Sequence, residues 1–198
     1  MGMYVGHFDF EHRLLWTVPE LFSASECAAI LAGAEGHEWL PATVNRASGR
    51  VVEAGLRDSA TAVLRDPALA DTLYQRVLPH VPRRMSAELA RRGRVPMEVA
   101  GVHVPVRLYR YEPGQHFGLH QDQSYFGEGE TMSLLTFMVY LNEAFGGGET
   151  DFPEQGQTIV PKTGTALLFQ HMLLHAGKRV TAGVKLVLRS DVLYRPLD

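Results

Sequence analysis

The sequence predicts a mainly β fold with N-terminal helices, in which supporting helices pack on one sheet of a two-sheeted antiparallel barrel. Three observations lead there. Capped helical patterns are confined to the first half, the hydrophobic period changes to two from Val102 onward, and glycine-rich turns separate the short segments that follow. A chain of 198 residues, 45% hydrophobic, buries one good core. It shows no repeat, linker or low-complexity tract, so the expected unit is a single domain, 1–198. Residues 1–100 read as mostly helical support and 101–198 as the β core.

The first helix opens at Ser23-Ala-Ser-Glu26, a capping-box pattern, runs to about Ala34 and closes at Gly36. Asp66-Pro67, a cap followed by proline at the first helical position, opens a second. Leu69, Leu73 and Val77 give that helix one apolar face, and Pro79 stops it. A third helix is expected over 84–92, ending at Gly93, and 43–56 reads as a strand or excursion.

Side chains alternate across a strand, so each long strand should present two different faces. In 104–111, Val104, Val106 and Leu108 share one parity, and Arg107, Tyr109 and Tyr111 the other. In 132–141, Leu135, Phe137, Val139 and Leu141 oppose Thr136, Met138 and Tyr140. In 184–194, Val184, Leu186 and Leu188 oppose Lys185 and Arg189. The second faces hold tyrosine, methionine and single cations, which suits a polar lumen between sheets better than open water. Shorter strands are expected at 149–152, 158–160 and 165–169, with turns at Phe145-Gly-Gly-Gly-Glu-Thr150 and Pro161-Lys-Thr-Gly164.

Net charge is −3 with pI near 6.3, which supplies no basic field for nucleic acid or anionic lipid. Arg83, Arg84, Arg91, Arg92 and Arg94 gather locally, either as a solvated helix face with its exit loop or as an anion contact. The single cysteine, Cys27, excludes an intramolecular disulfide and a cysteine zinc cluster, and its spacing with Ile30, Leu31 and Ala34 places it in a core. Residues 1–11 carry His7, Asp9 and Glu11, unlike a signal peptide, and no apolar stretch reaches membrane-spanning length. Cytoplasm is the expected compartment, and no membrane or nucleic-acid partner is expected.

His120-Gln121-Asp122, followed by His175 and then Lys185, carries the chemistry. On a strand His120 and Asp122 point the same way, and a neighbouring strand can bring a third ligand. Two imidazoles and one carboxylate occupy one face of an octahedral ion and leave the other open, as non-haem Fe(II) oxygen chemistry needs. Around them stand Arg107-Leu-Tyr-Arg-Tyr111-Glu-Pro-Gly114-Gln-His-Phe117, Tyr140-Leu-Asn142, Gly147-Gly-Glu-Thr150-Asp-Phe152-Pro153 and His175-Ala-Gly-Lys-Arg-Val180-Thr-Ala-Gly183-Val-Lys185.

With these motifs the segment 104–194 resembles the prolyl 4-hydroxylase-like branch of the Fe(II)/2-oxoglutarate-dependent dioxygenases. The resemblance implies a double-stranded β-helix (jelly-roll) core, Fe(II), and 2-oxoglutarate and O2 as cosubstrates. It implies oxidative decarboxylation to succinate and CO2 coupled to hydroxylation of a C–H bond. Residue by residue, it implies His120, Asp122 and His175 as catalytic iron ligands and Lys185 as partner of the distal 2-oxoglutarate carboxylate. Tyr111 and Tyr140 match cosubstrate contacts. Arg189, on the same strand face as Lys185, either helps bind 2-oxoglutarate, holds an acidic group of the substrate, or pairs with Asp191 or another carboxylate. One departure is Phe117, where relatives acting on peptidyl proline commonly have a tyrosine; phenylalanine packs but donates no hydrogen bond.

His116 and His171 each stand four residues before a ligand and are expected not to ligate, while His7, His12, His37, His80 and His103 are expected at the surface or partly buried. Thr150, Phe152 and Pro153 are expected to pack a hairpin. Residues 123–130 form either a lid, with Tyr125 against substrate, or an ordinary loop. The expected function is a hydroxylase of a small polar metabolite, with a protein side chain as the runner-up substrate. Halogenation is disfavoured, because Asp122 keeps the position a halide would need. A non-catalytic metal-binding jelly roll has no use for Lys185, Tyr111 and Tyr140, and a nucleic-acid demethylase is at odds with the acidic pI.

Overall fold

The computed structural model describes residues 8–46, 49–53, 55–89 and 92–197, so the expectations for His7 and Arg91 lie outside the described residues. Two antiparallel sheets enclose the functional cavity. The larger runs in the order Leu15–Val18, Ala166–Gln170, Met132–Tyr140, Lys185–Pro196, Val106–Tyr111, Ala60–Leu64 and Leu40–Pro41. The far half of Lys185–Pro196 also pairs with Gly93–Val102. The smaller sheet runs Gln157–Ile159, Thr150–Phe152, His175–Gly177, Phe117–His120.

The parities read from the sequence separate within the strands, while Val104 and Val184 fall just outside them and are exposed. Val106, Leu108, Leu135, Phe137, Val139 and Leu188 join one buried cluster with the helices. Tyr109, Tyr111, Met138, Lys185, Val187 and Arg189 face the cavity from the same strands. Burying one of these larger apolar side chains contributes about 1.5–3 kcal/mol, so the outer cluster holds the large sheet while its other face is left for chemistry.

Helix α1 spans Ala24–Gly33, with a complete capping box: Ser23 Oγ accepts from the Glu26 amide, and Glu26 accepts from the Ser23 amide. Cys27 on α1 is fully buried, and burial pushes its thiol up, which makes it inert packing. Helix α2 spans Pro67–Val77, capped by Asp66, and buries Ala70, Leu73 and Val77 against the outer face of the large sheet.

The third expected helix is absent. Residues 84–89 form a strand, Arg84–Leu89, paired with Gly93–Val102 in a tight hairpin. Met85, Ala87 and Leu89 alternate inward, a period of two that outweighs the helix-forming character of alanine, glutamate and leucine once a partner strand is beside them. Residues 1–100 are therefore not mostly helical: besides two helices they supply strands to the large sheet. The arginines at 83, 84, 92 and 94 sit exposed around this hairpin rather than on a helix face; Arg92 pairs with Glu130 at 2.9 Å. Part of 43–56 is a small hairpin, Val44–Arg46 with Gly49–Val51.

Gly164 fixes where the large sheet meets α1. Its φ is +77°, its amide donates to Tyr140 O, and its carbonyl accepts from the Phe22 amide. A Cβ there would lie 1.7 Å from Phe22 O. Gly164→Ala is expected to cost about 3 kcal/mol or more by strain and overpacking together. Thermal unfolding should show the midpoint falling by roughly 6–12 °C.

Candidate active site

The small sheet brings the two candidate ligand histidines together. His120 and His175 stand directly opposite in the pairing of Phe117–His120 with His175–Gly177, their rings 4.1 Å apart. Nδ1 of His120 donates to Gly118 O at 2.8 Å, and Nδ1 of His175 donates to Leu173 O at 3.0 Å. Carbonyls only accept, so both rings keep the tautomer with the Nε2 lone pair free. His120 Nε2 is 3.7 Å from Asp122 Oδ1, and His175 Nε2 is 3.8 Å from Asp122 Oδ2. One ligand atom from each of the three lies within 4.8 Å of the others, an arrangement able to hold a metal ion.

Asp122 reaches this position differently from the sequence expectation. The strand ends at His120, and Asp122 lies beyond it, fixed by its amide donating to His171 O at 3.0 Å. Its Oδ2 accepts from Thr136 Oγ1 at 2.6 Å and pairs with Arg189 Nη2 at 3.0 Å, which leaves Oδ1 for a metal. Burial alone would raise its pKa, but Arg189, His175 and His120 hold the carboxyl well below the usual range. Burial and the neighbouring His175 push His120 down to about 4, and burial likewise lowers His175. Near neutral pH the triad is therefore two neutral imidazoles and one carboxylate, the protonation states that bind metal.

His171 backs the site through hydrogen bonds. Asp122 can only accept, so Thr136 donates to it and receives from His171 Nδ1 at 2.8 Å; His171 Nε2 then accepts from Ser133 Oγ at 2.8 Å. Both ring nitrogens are occupied. His116 instead faces Asp58, with Nδ1 at 3.3 Å from its carboxylate. Thr136→Val should leave Asp122 without one of its two restraints. Metal affinity is then expected to fall about 10- to 100-fold, as measured by competition with a chelator.

Lys185 is 3% exposed and donates to Gly148 O at 2.6 Å. It stands 5.4 Å and 5.5 Å from the ring centres of Tyr111 and Tyr140. No carboxylate pairs with it among the described residues, and burial pulls its pKa down to about 8. A buried cation of this kind fits a carboxylate brought in by a ligand. Tyr140 Oη and Thr150 Oγ1 are 2.7 Å apart, and Thr150 lines the cavity, so it belongs to the site and not only to hairpin packing. Phe152 does pack, against the His175 ring at 5.6 Å.

Arg189 pairs with both Asp122 and Asp191, the latter at 3.2 Å; burial opposes its charge, but these carboxylates raise its pKa. Tyr125 is 40% exposed with its ring against His103, and Glu130 of the following loop is tied to Arg92. The cavity, with the open solvent at its mouth, spans about 480 Å³.

The sequence reading missed Arg57, which lines the cavity from an irregular stretch where no periodicity could mark it. Thr136 and Tyr109 were placed on the inward parity, but their partners became visible only in three dimensions.

The sequence pattern of the 2OG-Fe(II) oxygenase superfamily matches residues 106–190. A putative prolyl 4-hydroxylase of Acanthamoeba polyphaga mimivirus is 36% identical over 98 residues, covering 40% of this chain and 40% of that protein. The chain thus matches well under half the length of that relative. Among solved structures, a Pseudomonas putida prolyl-4-hydroxylase superposes with TM-score 0.63 at 18% identity, covering 93% of this chain and 95% of that one. HygX from Streptomyces hygroscopicus, with nickel, 2-oxoglutarate and hygromycin B bound, gives 0.59 at 14% identity, with 94% and 84% covered. At these identities the two structures speak for the fold, the expected jelly roll. None of the helices described is long and apolar enough to cross a membrane. The matched span contains His120, Asp122, His175 and Lys185, so this segment carries the pattern of the 2OG-Fe(II) oxygenase superfamily, whose members work with Fe(II), 2-oxoglutarate and O2, and it is similar to the prolyl 4-hydroxylase-like branch.

Proposed function

We propose that this chain is a hydroxylase of a small polar metabolite, with Fe(II) held by His120, Asp122 and His175 and 2-oxoglutarate held by Lys185, Tyr111 and Tyr140. The observation that carries the reading is the cavity itself: a convergent His-Asp-His set and a buried, carboxylate-free Lys185 line the same cavity. Iron and 2-oxoglutarate together supply O2 activation, with succinate and CO2 as coproducts and oxygen inserted into a C–H bond.

The chain's residues perform the rest. Lys185 neutralises the distal carboxylate, while the Tyr111 and Tyr140 rings flank it and shut out water. Met138 and Val187 keep the floor of the cavity apolar. Thr136 and Arg189 hold Asp122 ionised and oriented, so Arg189 acts through Asp122 rather than on the cosubstrate. Phe117 stacks on the His120 ring, with centroids 3.5 Å apart, and so fixes that ligand with an apolar surface. A small substrate fits a cavity walled by buried charge, and a cytoplasmic setting fits a chain whose one cysteine is a buried free thiol.

A protein side chain is the second reading, favoured by the prolyl 4-hydroxylase naming of the mimivirus relative. Succinate release, measured with free polar metabolites against proline-containing peptides, separates the two. Stimulation by metabolites alone is expected; stimulation by peptides alone would reverse the assignment.

A further inference from the structure

Among the described residues, each cation lining the cavity has a carboxylate partner or a proposed one, except Arg57. Arg189 is neutralised by Asp122 and Asp191, and Lys185 is the proposed partner of the cosubstrate. Arg57 is 7% exposed, lines the same cavity, and has no carboxylate partner among the described residues. Its position is built rather than accidental. Leu56 O accepts from the Gly118 amide at 2.7 Å, and Arg57 forms a β-bridge with Phe117, which ties this segment to the strand that carries His120.

The guanidinium is clamped between two rings, 4.1 Å from the centre of Tyr109 and 4.3 Å from the centre of Phe117. Nε donates to Ser59 Oγ at 3.2 Å and the Tyr109 hydroxyl also bonds the group, but both partners are neutral, so the planar guanidinium keeps its charge without a counter-ion. The Phe117 ring is itself stacked on His120, which places Arg57 one ring's thickness from a metal ligand. Rings soften the burial of a cation without neutralising it.

We propose that Arg57 anchors a carboxylate carried by the substrate, so that the substrates are small free acids, such as unblocked amino acids, rather than residues inside a peptide. A guanidinium matches a carboxylate in two parallel hydrogen bonds, and one guanidinium without a counter-ion suits a single negative charge. The anchor is distinct from the cosubstrate site: Tyr109 pairs across the sheet with Val187, whereas Tyr111 pairs with Lys185. The proposal rests on the oxygenase reading and narrows its substrate class.

The test uses wild-type protein, Arg57→Gln and Arg57→Lys, each loaded with Fe(II) and 2-oxoglutarate. The twenty free L-amino acids are compared with their primary amides. Two readouts are taken: the anaerobic shift of the 2-oxoglutarate charge-transfer band on adding the compound, and succinate release in air. At least one acid is expected to shift the band and outperform its amide. In Arg57→Gln its KM should rise roughly 10- to 100-fold, the size of a lost charge-assisted pair. Arg57→Lys should recover part of that, and 2-oxoglutarate itself should still titrate all three proteins.

Amides or peptides serving as well as acids would overturn the proposal. So would an acid preference surviving in Arg57→Gln, or a panel in which no acid surpasses its amide. Loss of the 2-oxoglutarate band in wild-type protein would instead strike the oxygenase reading on which the proposal stands.

Discussion

Lys185→Ala is expected to weaken 2-oxoglutarate binding by about 3–5 kcal/mol, because the distal carboxylate would lose the buried cation that pairs with it. That corresponds to a rise in Kd of roughly 150- to 4,000-fold. The triad, on the other sheet, should keep its iron. Anaerobic titration of the iron-loaded variant reads both effects. Unchanged 2-oxoglutarate affinity would remove Lys185 from the site.

The same residue sets a pH dependence. Burial favours the neutral amine and lowers the Lys185 pKa to about 8, while carboxylate binding needs the ammonium form. Above pH 8 binding must therefore take up a proton, and affinity falls as pH rises, by about tenfold per unit. Below that point this group imposes no slope. In Lys185→Ala the decline above pH 8 should vanish, a contrast that separates a charge effect from a packing effect.

Asp122→Ala is expected to abolish succinate formation, leaving no more than metal-free protein produces. The carboxylate is the anionic ligand of the set, and two histidines alone do not complete one face of an octahedral ion. The change also leaves Arg189 buried with Asp191 as its one carboxylate partner among the described residues, at a cost to stability of about 3 kcal/mol. Activity is best read well below the lowered melting point, beside His175→Ala, which removes a ligand without touching the Arg189 pairing. Wild-type rates in either folded variant would sink the metal assignment.

Both predictions come from residues that were legible in the chain. His120, Asp122, His175 and Lys185 stood out because ligand chemistry restricts residue type, and strand parity placed Lys185 and Arg189 beside Tyr109 and Tyr111 on an inward face. Helix α1 and helix α2 were legible because side-chain caps leave a local signature.

What stayed hidden depended on partners far along the chain. Arg84–Leu89 looked helical until Gly93–Val102 lay beside it. Leu15–Val18 is too short to announce itself and exists through its pairing with Ala166–Gln170. Arg57 sits in an irregular stretch, and only the bridge to Phe117 brings it into the cavity. Asp122 reaches the cluster by a route that strand alternation does not give: it lies past the strand end, held by His171 O and Thr136, so the His-x-Asp spacing works through a loop.

The most direct test of the account is an anaerobic optical titration of metal-free protein, first with Fe(II) and then with 2-oxoglutarate. The account predicts a saturable visible charge-transfer band that appears only when both are present and titrates far more weakly in Lys185→Ala. Folded, iron-loaded protein that gives no band would contradict it, and the cavity would then be a metal-binding site without a cosubstrate.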